Sequence, residues 1–428
     1  MTELEKVLNI LKEEIVPAQG CTEPIAIAYA GAKLTELLGG VPDKIDAYLS
    51  GNMIKNVKSV KIPGSNGMVG IEAAVSMGVL LGDAGKEMMV IANADQTRLP
   101  EVDAYIKAGC VKSLFENTDE KLYIRLEGVH GADKGIVEIK KYHTNITRLE
   151  KNGVELAKNK GCGATDEPKT DDSFLTLDLI YDMAKSIDLS LIEPLFVRVI
   201  EYNSAIAEEG LKNQWGIGIG KTIREGIEEG VYGDDLKNNI TAFAASGSDA
   251  RMNGCAMPVM TTSGSGNQGM TCSLPVIKFC AMKNISRDYL IRGLFFSHLT
   301  AIHIKTLIGR LSAYCGAMAS CAGVSGAFAY LDDLPLEKIK MAISNTLGTV
   351  SGIICDGAKS SCACKIAAGI SSAFDSYVAA KKGRALLSGE GIIGNSAERT
   401  IANVGTLAAE GMLETDAVTV NIMMSEDK

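Results

Sequence analysis

Three cysteines in the last third of the chain have a spacing that suits metal chemistry. Cys355 and Cys362 are seven residues apart, so they would share one face if the segment is helical, because two helical turns cover about 7 residues. Cys315 stands forty residues earlier in another apolar segment. Three thiolates that converge from two elements can hold three irons of a [4Fe–4S] cluster, and the fourth iron is then open to a ligand as a Lewis acid.

A purely structural role is the alternative for these thiols. Free cysteine is among the most buried residue types, and spacing alone is equally compatible with small side chains in a core. Cys321 and Cys364 also compete as ligands. The segment has no Cys-x-x-Cys pair and no nearby histidine, which disfavours a zinc site.

A further cysteine, Cys21, lies in the sequence QGCTEP, just before an apolar helical pattern. Thr22 and Pro24 are helix-start signals, which would place Cys21 near the positive end of the helix. The helix dipole favours a thiolate there, so we expect the pKa of Cys21 to fall and the thiol to be reactive. The alternative is a packed cysteine at a turn.

Two polar segments near the N-terminus are candidates for an anion seat. In SGNMIKN, Asn52, Lys55 and Asn56 have the helical spacing i, i+3, i+4 and could present amides and an ammonium group to a carboxylate. The sequence IPGSNGMVG follows, with Ser65 and Asn66 just before a helical pattern whose free N–H groups suit an anion. A solvated turn is the alternative.

A third polar segment, TTSGSGNQGMTCSLP, interrupts an otherwise apolar region. Its backbone amides and the side chains of Ser263, Ser265, Asn267 and Gln268 could bind a carboxylate or surround a cofactor. The later segment WGIGIGKT only partly matches a phosphate-binding loop, because Trp215 occupies the position of the first glycine and no strand precedes it. An NTPase is therefore excluded.

The elements that must position these residues predict an α+β fold, with a mixed α/β segment and a larger, mostly helical domain. Helical periodicity covers residues 3–14 and about 23–38, and strand patterns follow, including a pair joined by the turn Asn152-Gly153. Residues 159–172 are polar and turn-rich, which indicates a linker. We therefore expect N-terminal helices over 1–40 that pack on the helical domain, a mixed α+β domain over 41–160 and the helical cluster domain over 172–428.

Composition excludes several classes of protein. The chain has 428 residues, 46% of them hydrophobic, which is ample for a large core. Its 43 basic and 52 acidic residues give a net charge of -9, so we expect no nucleic-acid partner. From the charged N-terminus we expect no signal peptide, and no segment predicts a membrane span. We therefore expect a cytoplasmic protein whose eleven cysteines are reduced.

Taken in order, QGCTEP, SGNMIKN, SGSGNQG, YCGAMASCAGVSGA and CDGAKSSC resemble motifs of the iron–sulfur L-cysteine desulfidases, a family similar to the α-domain of iron–sulfur L-serine dehydratases. The resemblance covers nearly the whole chain. It implies a [4Fe–4S] cluster on Cys315, Cys355 and Cys362, and a reactive Cys21 as the base. The Asn/Lys and Gly/Ser/Asn segments would then form the seat of a small amino-acid substrate.

The implied reaction is elimination of hydrogen sulfide from L-cysteine, which gives 2-aminoacrylate and then pyruvate and ammonia. No pyridoxal phosphate is implied. L-serine dehydration on the same kind of cluster is the nearest alternative, and a non-enzymatic iron–sulfur or redox-sensing protein is a more distant one. A homodimer is one assembly that the sequence allows.

Overall fold

The computed structural model of the chain describes residues 1–158, 170–309 and 312–425. Over these ranges a six-stranded sheet and a two-stranded sheet are combined with helices that form most of the structure, which confirms the predicted α+β class. In chain order, the strands are β1 (Pro17–Gln19), β2 (Lys44–Leu49), β3 (Val111–Phe115), β4 (Tyr123–His130), β5 (Asp133–Lys140), β6 (Ile146–Lys151), β7 (Val154–Lys158) and β8 (Pro258–Met260).

Sixteen α-helices are present in the described ranges. None of the described helices combines the length and the apolar character that crossing a membrane requires. They are α1 (Glu3–Glu14), α2 (Thr22–Leu38), α3 (Gly51–Val57), α4 (Ile71–Leu81), α5 (Leu99–Lys107), α6 (Leu177–Ser186), α7 (Glu193–Lys212), α8 (Ile219–Glu228), α9 (Leu236–Met252), α10 (Gly266–Lys283), α11 (Arg287–Ile308), α12 (Gly316–Leu331), α13 (Leu336–Val350), α14 (Ser361–Lys381), α15 (Ala397–Thr406) and α16 (Leu413–Ser425).

The larger sheet has the strand order β3-β2-β4-β5-β6-β7. Only β2 and β3 run parallel, and the other neighbours are antiparallel. Residues alternate along β2, with Ile45, Ala47 and Leu49 buried and Lys44 and Asp46 exposed. This alternation turns one face of the sheet toward a core and the other toward solvent.

Helices α2 and α4 cover the apolar face of this sheet. Their buried residues and those of the sheet form one hydrophobic cluster. The two helices approach so closely that a Cβ on Gly78 would lie 2.0 Å from the carbonyl oxygen of Ala28, which explains the glycine at that position.

The prediction that both N-terminal helices pack on the helical domain is wrong for α2. Helix α1 does contribute Val7, Ile10 and Leu11 to the core of the helical part. Helix α2 instead belongs to the core of the sheet, because apolar side chains surround almost its whole circumference and the sheet offers a matching apolar face.

The helical part is built around α12. This helix is buried from Ala317 to Leu331, and its alanine, glycine and serine residues allow neighbouring helices to approach closely. Stacked and edge-on aromatic pairs pack beside it, including Phe279 with Phe328 at 4.7 Å between ring centroids. Such a core supplies rigid helix ends from which a site can be built.

Of the predicted linker, residues 159–169 lie outside the described residues, and only 170–172 are described. The domain boundaries therefore stay predictions. Several contacts join the sheet part to the helical part. Among them, β1 pairs with β8, and α16 packs on α3, where Lys58 Nζ donates to the carbonyl oxygen of Met423 at 3.2 Å.

Candidate active site

One cavity of about 100 Å³ brings together the N-terminus of α2, helix α3, the end of α9, the start of α10 and the segments before α12 and α14. Its small volume favours a small ligand. The side chains that line it are mainly polar, charged or thiol groups: Thr22, Glu23, Asn52, Lys55, Asn56, Arg251, Ser265, Asn267, Gln268, Lys305, Ser312, Tyr314, Cys315, Cys355 and Cys362.

The three cysteines reach this cavity from two paired segments and a helix start. Cys315 is the N-cap residue of α12, and the segment before it pairs with the segment that holds Cys355. Two backbone hydrogen bonds fix this pairing: Cys315 N donates to Ile353 O at 3.2 Å, and Cys355 N donates to Ala313 O at 2.6 Å. Cys362 lies in the first turn of α14.

Cys355 and Cys362 therefore do not share a helical face. Helix α14 begins at Ser361, and Cys355 lies in the preceding loop, so the loop rather than the helical period brings the two residues to one cavity. The predicted shared face is wrong, while their role as cluster ligands stays a prediction. The backbone pairing between distant segments has no signature in the cysteine spacing.

The pKa values of Cys315 and Cys362 are raised by burial and by the thiols beside them. Burial is the main cause that raises the pKa of Cys315, and the neighbouring Cys355 and Cys362 raise it further. Burial likewise raises the pKa of Cys362 to about 11. The competing candidates Cys321 and Cys364 are not among the residues that line this cavity.

The candidate ligands in this cavity are three thiols, the ligand type that iron–sulfur clusters take. Across residues 1–158, 170–309 and 312–425, no group of three or more histidine, cysteine, aspartate or glutamate residues is arranged to hold one metal ion. An iron–sulfur cube separates its thiolate ligands more widely than one ion does. Three cysteines around one buried cavity are the residue type that such a cluster requires.

Contacts with α3 hold the cysteine loop against the cavity. Lys55 Nζ donates to the carbonyl oxygen of Cys355 at 3.3 Å and forms an ion pair with Asp416 of α16. Lys359 Nζ donates to the carbonyl oxygen of Lys55 at 3.3 Å. Gly357 has a φ of 95°, and a Cβ there would lie 2.5 Å from the carbonyl oxygen of Lys55. Only glycine allows this approach of the two segments.

Cys21 lies beside the cavity but does not line it. It packs with Val60 and Met252, and Cys362 lies at the edge of this small cluster. Cys21 is only 1% exposed. Burial raises the pKa of Cys21 to about 12, although the positive charge of Arg251 lowers it.

The predicted fall in the pKa of Cys21 is therefore wrong. Cys21 is the N-cap residue of α2, as expected, but the cost of burying a thiolate exceeds the influence of the helix dipole. The sequence predicted the helix start correctly and could not show that Met252 and Val60 cover it. Its catalytic role is a separate question and stays a prediction.

Five of the predicted polar residues line the cavity: Asn52, Asn56, Ser265, Asn267 and Gln268. Lys55 lines it as well, although its ammonium group is already paired. Within the described ranges, Asn52 Oδ1, Asn56 Oδ1 and Gln268 Oε1 are buried without a hydrogen-bond partner. Buried acceptors of this kind are costly unless a ligand or water satisfies them.

Three other predicted polar residues do not line this cavity. Ser65 Oγ donates to the carbonyl oxygen of Ile62 at 2.7 Å, so it stabilises its own turn. Asn66 is exposed in the left-handed region, with a φ of 54°. Ser263, whose φ is 49°, lines a different cavity. Turn geometry, which sequence spacing does not specify, directs these side chains elsewhere.

The sequence analysis missed several residues of the cavity, among them Glu23, Arg251, Lys305 and Tyr314. Arg251 is 3% exposed, and its Nε donates to the carbonyl oxygen of Gly20 at 2.9 Å. Lys305 is 5% exposed near the end of the apolar helix α11. A charged residue on the buried face of an otherwise apolar helix was the available signal for Lys305.

The other candidate segments have structural explanations. The glycine-rich segment at the start of α8 binds a carboxylate of the same chain, since Gly220 N donates to Asp249 Oδ2 at 2.8 Å. His298 is fully buried and bonds through Nδ1 to Thr262 Oγ1 at 2.8 Å, and burial lowers its pKa to about 3. His303 pairs with Glu398 at 2.7 Å.

Comparison with known proteins adds a family match. Residues 88–421 match the family described as serine dehydratase alpha chain, and this range contains Cys315, Cys355 and Cys362 but not Cys21. A UPF0597 protein of Fusobacterium nucleatum is 54% identical over 423 residues, which is 99% of both chains. A UPF0597 protein of Lachnoclostridium phytofermentans is 45% identical over 421 residues, covering 98% of this chain and 100% of that one. Another from Treponema denticola is 42% identical over 425 residues, covering 99% and 98%.

Proposed function

Since this chain belongs to the serine dehydratase alpha-chain family, a lyase-type family, we propose that it is an iron–sulfur L-cysteine desulfidase. The reaction removes the Cα proton and breaks the Cβ–S bond of L-cysteine, so that the proton and the thiolate are lost as hydrogen sulfide and the rest of the molecule becomes 2-aminoacrylate. The latter tautomerises and is hydrolysed to pyruvate and ammonia. The substrate is small, in keeping with a cavity of about 100 Å³.

One observation carries this proposal: three cysteines line the same cavity as buried cations and unpartnered amide oxygens. Cys315, Cys355 and Cys362 would hold a [4Fe–4S] cluster. When bound, that cluster supplies an open iron as a Lewis acid for a soft leaving group. A protein with a purely structural or electron-transfer cluster would have no need for the polar groups beside it.

The chain's own residues can orient an amino acid in this cavity. Ser265, Asn267 and Gln268 lie at the start of α10, where the positive end of the helix dipole favours a carboxylate. Arg251 and Lys305 add positive charge to the same cavity. Orientation of this kind lowers the barrier by fixing the Cα–H bond relative to its acceptor.

Cys21 is our proposed acceptor of the Cα proton. Its burial makes the thiolate costly, and Arg251 offsets part of this cost through its positive charge. Because Cys21 does not line the cavity, this role requires the adjoining wall at Thr22 and Glu23 to move when substrate binds. The substitution Cys21→Ala tests it: a lost base lowers turnover by about 10²- to 10⁴-fold while the iron content stays at the parent value.

L-serine dehydration is the second candidate, because the matched family is described as serine dehydratase alpha chain. The deciding experiment uses anaerobically reconstituted protein and measures sulfide release from L-cysteine beside pyruvate formation from L-serine. We expect the higher kcat/KM with L-cysteine. A higher value with L-serine would make the protein a dehydratase, and absence of both products would contradict the lyase proposal.

A further inference from the structure

We propose that Glu23, together with Asn52 and Asn56, binds the α-ammonium group of the ligand and so selects amino acids over simple carboxylates. This inference rests on the proposed function for the class of substrate. Glu23 was not predicted from the sequence as a site residue, and the two asparagines were predicted to bind a carboxylate instead.

The Glu23 carboxylate is held in a defined orientation at the wall of the cavity. Its Oε1 accepts from Asn56 Nδ2 at 3.1 Å, and its Oε2 accepts from Thr22 Oγ1 at 3.0 Å. It is the only carboxylate among the described residues that line the cavity. Both of its donors are neutral, so its negative charge is available to a ligand cation.

The two asparagines add acceptors beside this charge. Asn52 and Asn56 are four residues apart on α3, so they lie on one face, and both line the cavity. Asn56 donates its amide N–H to Glu23, so its oxygen is the group left for a ligand. In the described structure, the Oδ1 atoms of both asparagines are buried and have no partner.

These acceptors match the donors of an ammonium group. A primary ammonium has three N–H donors and no acceptor, and Glu23, Asn52 and Asn56 supply one acceptor group each. A carboxylate would instead meet the negative charge of Glu23 and be repelled. The cations Arg251 and Lys305 line the same cavity and suit the carboxylate end of a zwitterion.

The experiment measures binding of two unreactive probes, L-alanine and propionate, to the full-length protein by calorimetry. The two probes differ only in the α-ammonium group. We expect Glu23→Gln to weaken L-alanine binding roughly 10- to 100-fold and to leave propionate binding unchanged or slightly stronger, because a charge-assisted hydrogen bond is lost. Glu36→Gln, which changes an exposed residue at the other end of α2, is the matched control and should alter neither.

Equal weakening of both probes, or unchanged L-alanine binding, would overturn the proposal. Unchanged L-alanine binding with loss of Cα hydrogen exchange in D₂O would instead make Glu23 the base. If Glu23→Gln fails to fold, Asn52→Ser should still weaken L-alanine binding severalfold more than propionate binding. An equal effect of Asn52→Ser on both probes would contradict the proposal. Failure of the proposed function appears separately, as absence of sulfide and pyruvate from the parent protein, because the probe comparison requires no turnover.

Discussion

The ion pair between Lys55 and Asp416 should hold α16 on α3 and keep the cysteine loop in place. The Lys55 side chain is 1% exposed and that of Asp416 is 13% exposed, so the pair is shielded from water. Asp416→Asn removes the negative charge and leaves a buried ammonium group with the carbonyl oxygen of Cys355 as its remaining acceptor at 3.3 Å.

The expected effect is large because the unpaired charge is buried. Removing one partner of a buried ion pair typically costs about 3–5 kcal/mol, whereas an exposed pair contributes about 0–1 kcal/mol. Since Lys55 keeps one acceptor, we expect the lower end, about 3 kcal/mol, in the free energy of local opening of α16. This corresponds to faster amide exchange in α16 by on the order of 10²-fold.

Hydrogen exchange followed by mass spectrometry measures this effect over Leu413–Ser425 and over the loop at Cys355. Asp103→Asn is the matched control, because Asp103 pairs with Lys107 on the surface, with side chains 47% and 74% exposed. It should change exchange by about fivefold at most. The reasoning would be refuted if Asp416→Asn accelerated exchange in α16 no more than Asp103→Asn does in its own helix.

Three further predictions concern single residues. At pH 8 a thiol of pKa about 12 is ionised in only about 10⁻⁴ of molecules. Iodoacetamide should therefore modify Cys21 at least 10²-fold more slowly than the partly exposed Cys110, as measured by peptide mapping. Equal rates for the two thiols would contradict the burial of Cys21. Burial lowers the pKa of His298 to about 3, so the unfolded chain binds a proton that the folded chain does not, and stability should fall by about 2 kcal/mol between pH 7 and pH 5. His298→Asn should remove that part of the pH dependence in urea titrations, and an unchanged slope would count against it. Gly357→Ala should lower the free energy of unfolding by about 1–3 kcal/mol through strain at its φ of 95°, whereas Gly352→Ala, which meets no atom within 4 Å, should have a much smaller effect.

Local patterns predicted the elements well because they depend on neighbouring residues. The turn at Asn152-Gly153 joins β6 and β7 as expected, with φ values of 53° and 82° that suit these two residue types. The N-terminal helix matches its predicted range, residues 3–14. Hydrophobic periodicity and turn chemistry were sufficient in these segments.

The parts that failed depend on contacts between distant segments. The sequence shows that α2 is apolar around most of its circumference, but not whether the sheet or the helical core will cover it. The same limit applies to Cys21, whose helix start was predictable and whose burial against Met252 was not. Arg251 reaches the cavity because α9 ends beside it. Local patterns can predict at which residue a helix ends, but not where in the folded protein that end will lie.

The central claim is that Cys315, Cys355 and Cys362 hold one iron–sulfur cluster in the cavity. The most direct test counts iron and acid-labile sulfide in the anaerobically reconstituted parent, in an alanine variant at each of these cysteines, and in Cys364→Ala, which changes a cysteine outside the lining of the cavity. We predict about four irons and about four sulfides per chain in the parent and in Cys364→Ala, and loss of most of both in the other three variants. Full iron content in Cys355→Ala, or loss of iron in Cys364→Ala as complete as in Cys355→Ala, would contradict this ligand set.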